Sequence, residues 1–171
     1  MIIVMPDAWD TWYINQYDGK APYEDMFFEE LIPYMEKTYR ICSNKESRAI
    51  AGLSMGGYGS FLYSLHHPDM FCACAPLSAA VFDDTVMEAR KNKSHKDLFN
   101  RLFGPGDEHW QQNNVMKILS DWNQNDLPKI RYYIDCGDDD SLLDGNMQVH
   151  QIMRQKGIKH EFRVRDGGHT W

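Results

Sequence analysis

The stretch AIAGLSMGGYGSF, residues 49–61, places four glycines in an otherwise mostly apolar run. Its first half is a short apolar segment typical of a buried strand. Its second half starts the helical pattern YGSFLYSLHH, which ends before Pro68. Ser54 therefore lies in the turn between a predicted strand and a predicted helix.

The turn itself contains a recognisable motif. Gly52, Ser54 and Gly56 fit Gly-x-Ser-x-Gly, the nucleophile elbow, whose tight turn requires small residues two before and two after the serine. The backbone of such a serine is strained, and the following helix N-terminus offers N–H donors and the positive end of a dipole. Chance produces this pentapeptide in about one of twenty chains of this length. Its position between strand and helix favours the catalytic interpretation.

The rest of the chain alternates strand and helix patterns. We predict one helix at 23–39, kinked by Pro33, and another at 146–156, ended by Gly157. Continuous apolar strands separated by helices predict an α/β fold, with a mostly parallel sheet covered on both faces. The predicted strands are MIIVMP (1–6), SRAIAGLS (47–54), FCACAPLSAA (71–80), KIRYYIDCG (129–137) and KHEFRVRDGG (159–168).

Composition limits the class of protein. Residues 1–171 contain no repeat or linker and are predicted to form a single domain, with the charge- and amide-rich segment 82–128 as an excursion between strands. The net charge of −7 and the lack of a basic run argue against a nucleic-acid partner. No apolar run approaches the roughly 20 residues that cross a bilayer, and MIIVMPD lacks the basic start of a signal peptide. The four cysteines contain no C-x-x-C pair and are predicted to be small buried residues.

A serine hydroxyl needs a base, and the base needs an acid that orients it. In this architecture the chain order is Ser, then Asp or Glu, then His, each in a loop that follows a strand. Among the seven histidines, only His169 follows a strand and a glycine pair, Gly167 and Gly168. The acid candidates are the adjacent Asp138, Asp139 and Asp140, and spacing alone does not choose among them.

Four segments together carry a family resemblance: RAIAGLSMGGYGSF, APLSAA, DCGDDDSLL and RDGGHTW. They resemble the esterase D-like branch of the α/β-hydrolases, particularly the feruloyl and acetylxylan esterases of carbohydrate esterase family 1, over nearly the whole chain. The family pattern G-x-x-D maps onto Gly137 and Asp140, so the resemblance implies Asp140 as the acid. It also implies the Met55 N–H as first oxyanion donor, and no metal or organic cofactor.

The chain departs from the family pattern at both ends. The family takes its second oxyanion donor from a His-Gly loop upstream of IIVMPD, and it adds a helix after the histidine loop. The resemblance thus implies an α/β-hydrolase fold that lacks its N-terminal strands and last helix. The absent strand belongs between MIIVMP and the elbow strand. We therefore expect an unpaired sheet edge, in a fragment or in a sheet completed by strand slippage or by a homo-oligomer.

The resemblance implies a serine esterase acting on feruloyl or acetyl groups of plant cell wall polysaccharide, in a secreted or periplasmic protein. Trp9, Trp12, Tyr13 and Trp171 either stack on a sugar or cinnamoyl ring or cover the edge of the core. The alternatives are an S-formylglutathione hydrolase, a general short-chain acyl esterase, and a non-catalytic carbohydrate-binding or assembly module. Loss of the upstream loop favours the non-catalytic module for this chain, and retention of all three triad residue types favours an enzyme.

Overall fold

The computed structural model describes residues 1–91, 95–123 and 129–170. Its centre is a sheet of four parallel strands in the order β1-β2-β3-β4. The carboxyl ends of all four strands lie at one edge of the sheet, and the loops that leave this edge are therefore neighbours. The strands are β1 (Ala49–Leu53), β2 (Ala73–Leu77), β3 (Arg131–Gly137) and β4 (His160–Arg165).

Helices occupy the connections between the strands, which confirms the predicted α/β class. The segment between β2 and β3 contains four helices in its described part, and residues 92–94 and 124–128 of the predicted excursion lie outside that part. The helices are α1 (Tyr23–Asp25), a π-helical segment (Met26–Leu31), α2 (Ile32–Thr38), α3 (Met55–His66), α4 (Asp84–Lys91), α5 (Lys96–Phe103), α6 (Glu108–Asn113), α7 (Val115–Asp121) and α8 (Leu143–Lys156), with a 3-10 turn at Lys45–Ser47.

The predicted strand MIIVMP is wrong. Residues 1–6 form no strand, and Ile3 in its middle is 68% exposed. A strand needs a hydrogen-bonded neighbour, and within the described residues β1 pairs with β2 alone. Residues 1–6 are thus apolar but do not pair with any strand among the described residues. The expected open edge is present along β1.

The predicted helix at 23–39 is divided rather than simply kinked. The π-helical segment Met26–Leu31 separates α1 from α2, and Pro33 stands in the first turn of α2. The proline ring would clash with the carbonyl of Glu29 in a regular α-helix. Glu29 lies within the wider π turn, which relieves that contact. The helix at the other end of the chain stops at Gly157 as predicted, with a left-handed φ of 75°.

The core forms where α3 packs against the sheet. Phe61 and Leu62 of α3, Leu119 of α7 and Ile134 of β3 are all fully buried in one cluster. Because α3 follows Ser54 directly, the same packing fixes the start of this helix. Among the described residues, no helix has the length and apolar character needed to span a bilayer.

The cysteine prediction holds in part. Cys74 and Cys136 are buried, Cys72 is half-buried and Cys42 is exposed. All four are free thiols. Cys42 is thus wrongly predicted to be buried, because it follows α2 in a surface loop and not in a strand.

Candidate active site

Ser54 occupies a strained turn between β1 and α3. Its backbone angles, φ 60° and ψ −117°, lie in a region that residues with a side chain rarely adopt. Surrounding backbone holds it there: the Ser54 N–H donates to the Leu77 carbonyl at 2.9 Å, and the Ser54 carbonyl accepts from Tyr58 N–H at 3.0 Å and Ala80 N–H at 2.9 Å. The serine is thereby tied to both α3 and the end of β2.

The glycines around Ser54 differ in their roles. A Cβ at Gly52 would lie 2.3 Å from the carbonyl oxygen of Gly56, so only glycine fits there. At Gly56 a Cβ would meet only the Tyr13 hydroxyl, at an ordinary 3.5 Å, so the expected steric requirement does not extend to this position. Gly57 instead is required, because a Cβ there would lie 2.8 Å from the Leu77 carbonyl oxygen.

His169 contacts both Ser54 and Asp140. Its Nε2 lies 2.9 Å from Ser54 Oγ, and its Nδ1 lies 2.8 Å from Asp140 Oδ2. The Asp140 side chain is fully buried, whereas that of His169 is 38% exposed. Asp138 and Asp139 are exposed, and Asp138 Oδ1 accepts instead from the Gly167 N–H. Of the three adjacent carboxylates, the structure thus brings Asp140 to the imidazole.

Hydrogen bonds between the loop after β3 and the loop after β4 hold Asp140 next to His169. The loop after β3 donates from Asp138 N–H to the Arg165 carbonyl at 2.8 Å, and from Asp139 N–H to the Gly167 carbonyl at 3.0 Å. A Cβ at Gly137 would lie 2.0 Å from the Gly167 carbonyl oxygen, which shows how closely the loops approach. Gly167 itself has a φ of 136°. The glycines therefore permit the contact that carries the histidine loop over the acid.

The electrostatics of Asp140 favour its ionised form. Burial acts to raise the pKa of this carboxyl, but hydrogen bonds from the Leu142 N–H, the Ser78 hydroxyl and the His169 ring outweigh it and lower the pKa. An ionised carboxylate only accepts, so His169 Nδ1 carries the proton between them. The Nε2 lone pair then faces Ser54, whose hydroxyl donates. This is the tautomer that a general base requires.

Met55 supplies the backbone group next to the serine. It is the first residue of α3, where an N–H has no partner within the helix. No acceptor for this N–H is found among the described residues. The helix end adds a partial positive charge, which suits a developing oxyanion.

Ser78 is a site residue that the sequence reasoning missed. It is buried at the carboxyl end of β2, and it has a positive φ of 41°. Its N–H donates to the Asp135 carbonyl at 2.7 Å, and its hydroxyl lowers the pKa of Asp140. The only signal in the sequence is a polar residue inside the apolar run APLSAA.

Trp9, Trp12 and Tyr13 are predicted either to stack on a sugar or cinnamoyl ring or to cover the edge of the core. Trp12 packs edge-on and tilted against rings of α3 and α5, and the Tyr13 ring covers Gly59, where a Cβ would lie 2.5 Å from it. Both thus cover the edge of the core. Trp9 is 75% exposed. Trp171 lies outside the described residues.

One group of carboxylates is close enough to hold a cation. Ligand atoms of Asp138, Asp139 and Asp166 lie within 4.8 Å of one another, and all three residues are exposed. Nothing in this surface arrangement distinguishes it from an ordinary acidic turn. The chemistry of Ser54, His169 and Asp140 needs no metal.

Comparison with known proteins gives the class that this fold and site define. Residues 2–171 match the esterase family model, whose description reads "Putative esterase". The chain belongs to this esterase family. Its similarity to solved serine hydrolases also confirms the predicted α/β-hydrolase fold.

Three relatives illustrate the similarity. An acetyl esterase of Caldicellulosiruptor saccharolyticus is 24% identical over 99% of this chain and 65% of its own length. A solved ferulic acid esterase is 36% identical, with a TM-score of 0.74 over 93% of this chain and 57% of that chain. FphF, a fluorophosphonate-binding serine hydrolase of Staphylococcus aureus, has a TM-score of 0.81 at 23% identity, over 97% of this chain and 64% of that chain. This chain spans less than two thirds of the length of each.

Proposed function

We propose that this chain hydrolyses carboxylic esters, with Ser54 as nucleophile, His169 as general base and acid, and Asp140 as the group that orients the imidazole. The observation that carries the proposal is the pair of contacts made by one ring, 2.9 Å to the Ser54 hydroxyl and 2.8 Å to the Asp140 carboxylate. A hydroxyl is a weak nucleophile in water, and this hydrogen-bonded chain removes its proton during attack.

The reaction proceeds in two halves. Ser54 Oγ attacks the ester carbonyl while its proton moves to His169 Nε2, and the resulting oxyanion accepts from the Met55 N–H. Collapse of this intermediate breaks the bond to the alcohol, which leaves with the proton from His169. Water then attacks the acyl-serine, again losing a proton to Nε2, and the carboxylic acid is released as Ser54 regains its proton. One oxyanion donor contributes about 3 kcal/mol to such steps.

For the substrate we propose feruloyl or acetyl esters of plant cell wall polysaccharide. The 36% identity to a ferulic acid esterase and the similarity to an acetyl esterase support this choice. The exposed ring of Trp9 is available for stacking on a sugar or a cinnamoyl group. Hydrolysis of methyl ferulate, acetylated xylan and S-formylglutathione should be compared. A clear preference for S-formylglutathione would reject the proposed substrate class and keep the esterase.

The esterase proposal is tested by Ser54→Ala, with Ser43→Ala as the control because Ser43 is exposed in another loop. We expect Ser54→Ala to abolish release of p-nitrophenol from p-nitrophenyl acetate and Ser43→Ala to leave it unchanged. Equal slow release by wild type and Ser54→Ala would reject catalysis and favour the non-catalytic module. Binding of xylan by an inactive wild-type chain would support that module directly.

We further propose that a second copy of the chain covers the open edge of β1. Within the described residues this strand pairs on one side only, and the apolar residues Ile2 and Ile3 at the start of the chain are exposed rather than paired with it. Identical edges pair with each other around a two-fold axis, and their backbone groups are then satisfied. Light scattering at increasing concentration should show a dimer. A monomer at every concentration would contradict the proposal.

A further inference from the structure

Asn146 is a fully buried amide in the first turn of α8, six residues after Asp140 in the chain. Its Nδ2 donates to the carbonyls of Ala79 and Leu142, each at 2.9 Å, and its Oδ1 accepts from the Ala79 N–H at 3.3 Å. Every one of these partners is backbone. A buried side chain with such bonds fixes the chain segments that it joins.

The first of these segments supports the nucleophile. Ala79 is followed by Ala80, whose N–H donates to the Ser54 carbonyl at 2.9 Å. A Cβ at Gly57 would lie 2.9 Å from the Cα of Ala79, so the start of α3 rests directly on this segment. A shift of Ala79 therefore moves the backbone that carries the serine.

The second segment supports the acid. The Leu142 N–H donates to Asp140 Oδ1 at 2.8 Å, whereas His169 bonds to the other oxygen, Oδ2. The Leu142 carbonyl accepts from the side chain of Asn146 at 2.9 Å and from its N–H at 3.2 Å. The residue that orients the Asp140 carboxylate is thus itself held by Asn146.

Steric contact adds to the hydrogen bonds. Gly145 precedes Asn146, and a Cβ there would lie 2.3 Å from the Val81 carbonyl oxygen. The first turn of α8 thus lies directly against the segment that follows β2. Any side chain at position 145 would push the first turn of α8 away from this segment, and Asn146 would keep its amide group but move with the turn.

We propose that Asn146 is a positioning residue that sets the separation of Ser54 and Asp140, so that one imidazole can bond to both. This inference rests on the proposed esterase function. The three reacting groups come from three separate loops, and a displacement of about 1 Å costs on the order of 100-fold in rate. Asn146 bonds to the loop that carries Asp140 and to the segment after β2 whose Ala80 N–H bonds to Ser54. It acts through backbone and does not touch substrate.

The test uses Asn146→Asp, which keeps the shape and one acceptor but loses both N–H donors. The matched control is Asn113→Asp, because Asn113 is also buried and donates Nδ2 to a carbonyl, that of His109, at 2.8 Å in α6. Turnover of p-nitrophenyl acetate is expressed per serine that reacts with a fluorophosphonate. We expect Asn146→Asp to lower kcat by about 10- to 100-fold with an unchanged KM. Asn113→Asp should leave both unchanged.

A second variant covers the case in which Asn146→Asp does not fold. Gly145→Ala keeps the amide but forces α8 away from Val81, and we expect the same selective loss of kcat. A kcat per reactive serine equal to wild type in the folded Asn146→Asp protein, or in Gly145→Ala if only that variant folds, would overturn the inference.

A spectroscopic readout separates this inference from the esterase proposal. The far-downfield proton resonance of the His169–Asp140 hydrogen bond should be present in wild type and lost in whichever of the two variants folds. An inactive wild type that shows the resonance would reject the esterase and still test Asn146. Retention of the resonance in the folded variant would overturn the positioning role whatever the activity.

Discussion

The Nε2 of His169 lies 2.9 Å from the Oγ of Ser54, although 115 positions separate the two residues in the chain. The parallel order of the four strands accounts for this proximity, because the loops after β1, β3 and β4 all leave the same edge of the sheet. The glycine contact between the loops after β3 and β4 then brings the ring over Asp140.

Asp140→Asn tests the role of the acid. An amide at this position would donate to His169 Nδ1, which moves the ring proton to Nε2 and leaves no lone pair for the serine. We expect kcat for p-nitrophenyl acetate to fall by about 10⁴-fold without loss of folding. Asp139→Asn is the control, since this neighbour is exposed. Similar losses in the two variants would argue against Asp140 as the acid.

Ionisation of Asp140 also predicts a pH dependence of stability. Its pKa is lower in the folded chain than its ordinary value, so its stabilising contribution is present above the unfolded pKa and is lost as the pH falls through the folded pKa. Thermal unfolding between pH 7 and pH 3 should show a steeper loss of stability for wild type than for Asp140→Asn. Parallel curves would contradict this assignment.

Gly52→Ala tests the elbow. The added Cβ would lie 2.3 Å from the Gly56 carbonyl oxygen, so the turn must open and move Ser54. We expect esterase activity to fall by at least about 100-fold. Gly56→Ala should keep its activity, because its Cβ meets only the Tyr13 hydroxyl at 3.5 Å. If Gly56→Ala lost more esterase activity than Gly52→Ala, this account of the turn would be wrong.

Glu24 joins α1 to the end of α3 through His66 and His67. Burial acts to raise the pKa of Glu24, but hydrogen bonds from both histidines outweigh it and lower the pKa to about 2. The pKa of His66 is raised, since its bond to Glu24 outweighs the effect of burial. The ionised Glu24 adds to the free energy of unfolding, and this contribution is lost as the pH falls towards 2. The contribution of protonated His66 is lost as the pH rises through its folded pKa.

Glu24→Gln should therefore destabilise the chain most in the window near pH 5 to 6, by about 2 kcal/mol, the scale of a hydrogen bond to a charged group. The loss should be smaller at pH 9. Urea unfolding at both pH values provides the measurement, and Glu29→Gln is the control because Glu29 is exposed. An equal loss at pH 5.5 and pH 9 would mean that His66 carries no charge in this contact.

The sequence predicts the proposed catalytic residues better than the residues that support them. Ser54 and His169 follow from motif and chain order, because a strand followed by a glycine turn places them at the same edge. Asp140 required the family resemblance, since three adjacent carboxylates have the same spacing pattern. Ser78 and Asn146 belong to no motif, and the roles that we propose for them depend on contacts between distant segments. These are visible only once the chain is folded.

Residues 1–6 show the limit of local pattern. MIIVMP has the composition of a buried strand, but pairing depends on a neighbour that local sequence does not report. Within the described residues β1 offers an open edge that these residues do not reach. Gly56 shows a similar limit, because the motif requires a small residue there, whereas the folded turn leaves room for a Cβ.

Labelling with a fluorophosphonate, followed by intact mass and peptide mapping, tests the central claim most directly. A serine activated by an imidazole reacts with the probe, and ordinary serines do not. The account predicts a single adduct on Ser54 in wild type and none after His169→Ala. An unlabelled wild type, an adduct on another serine, or equal labelling after His169→Ala would contradict it.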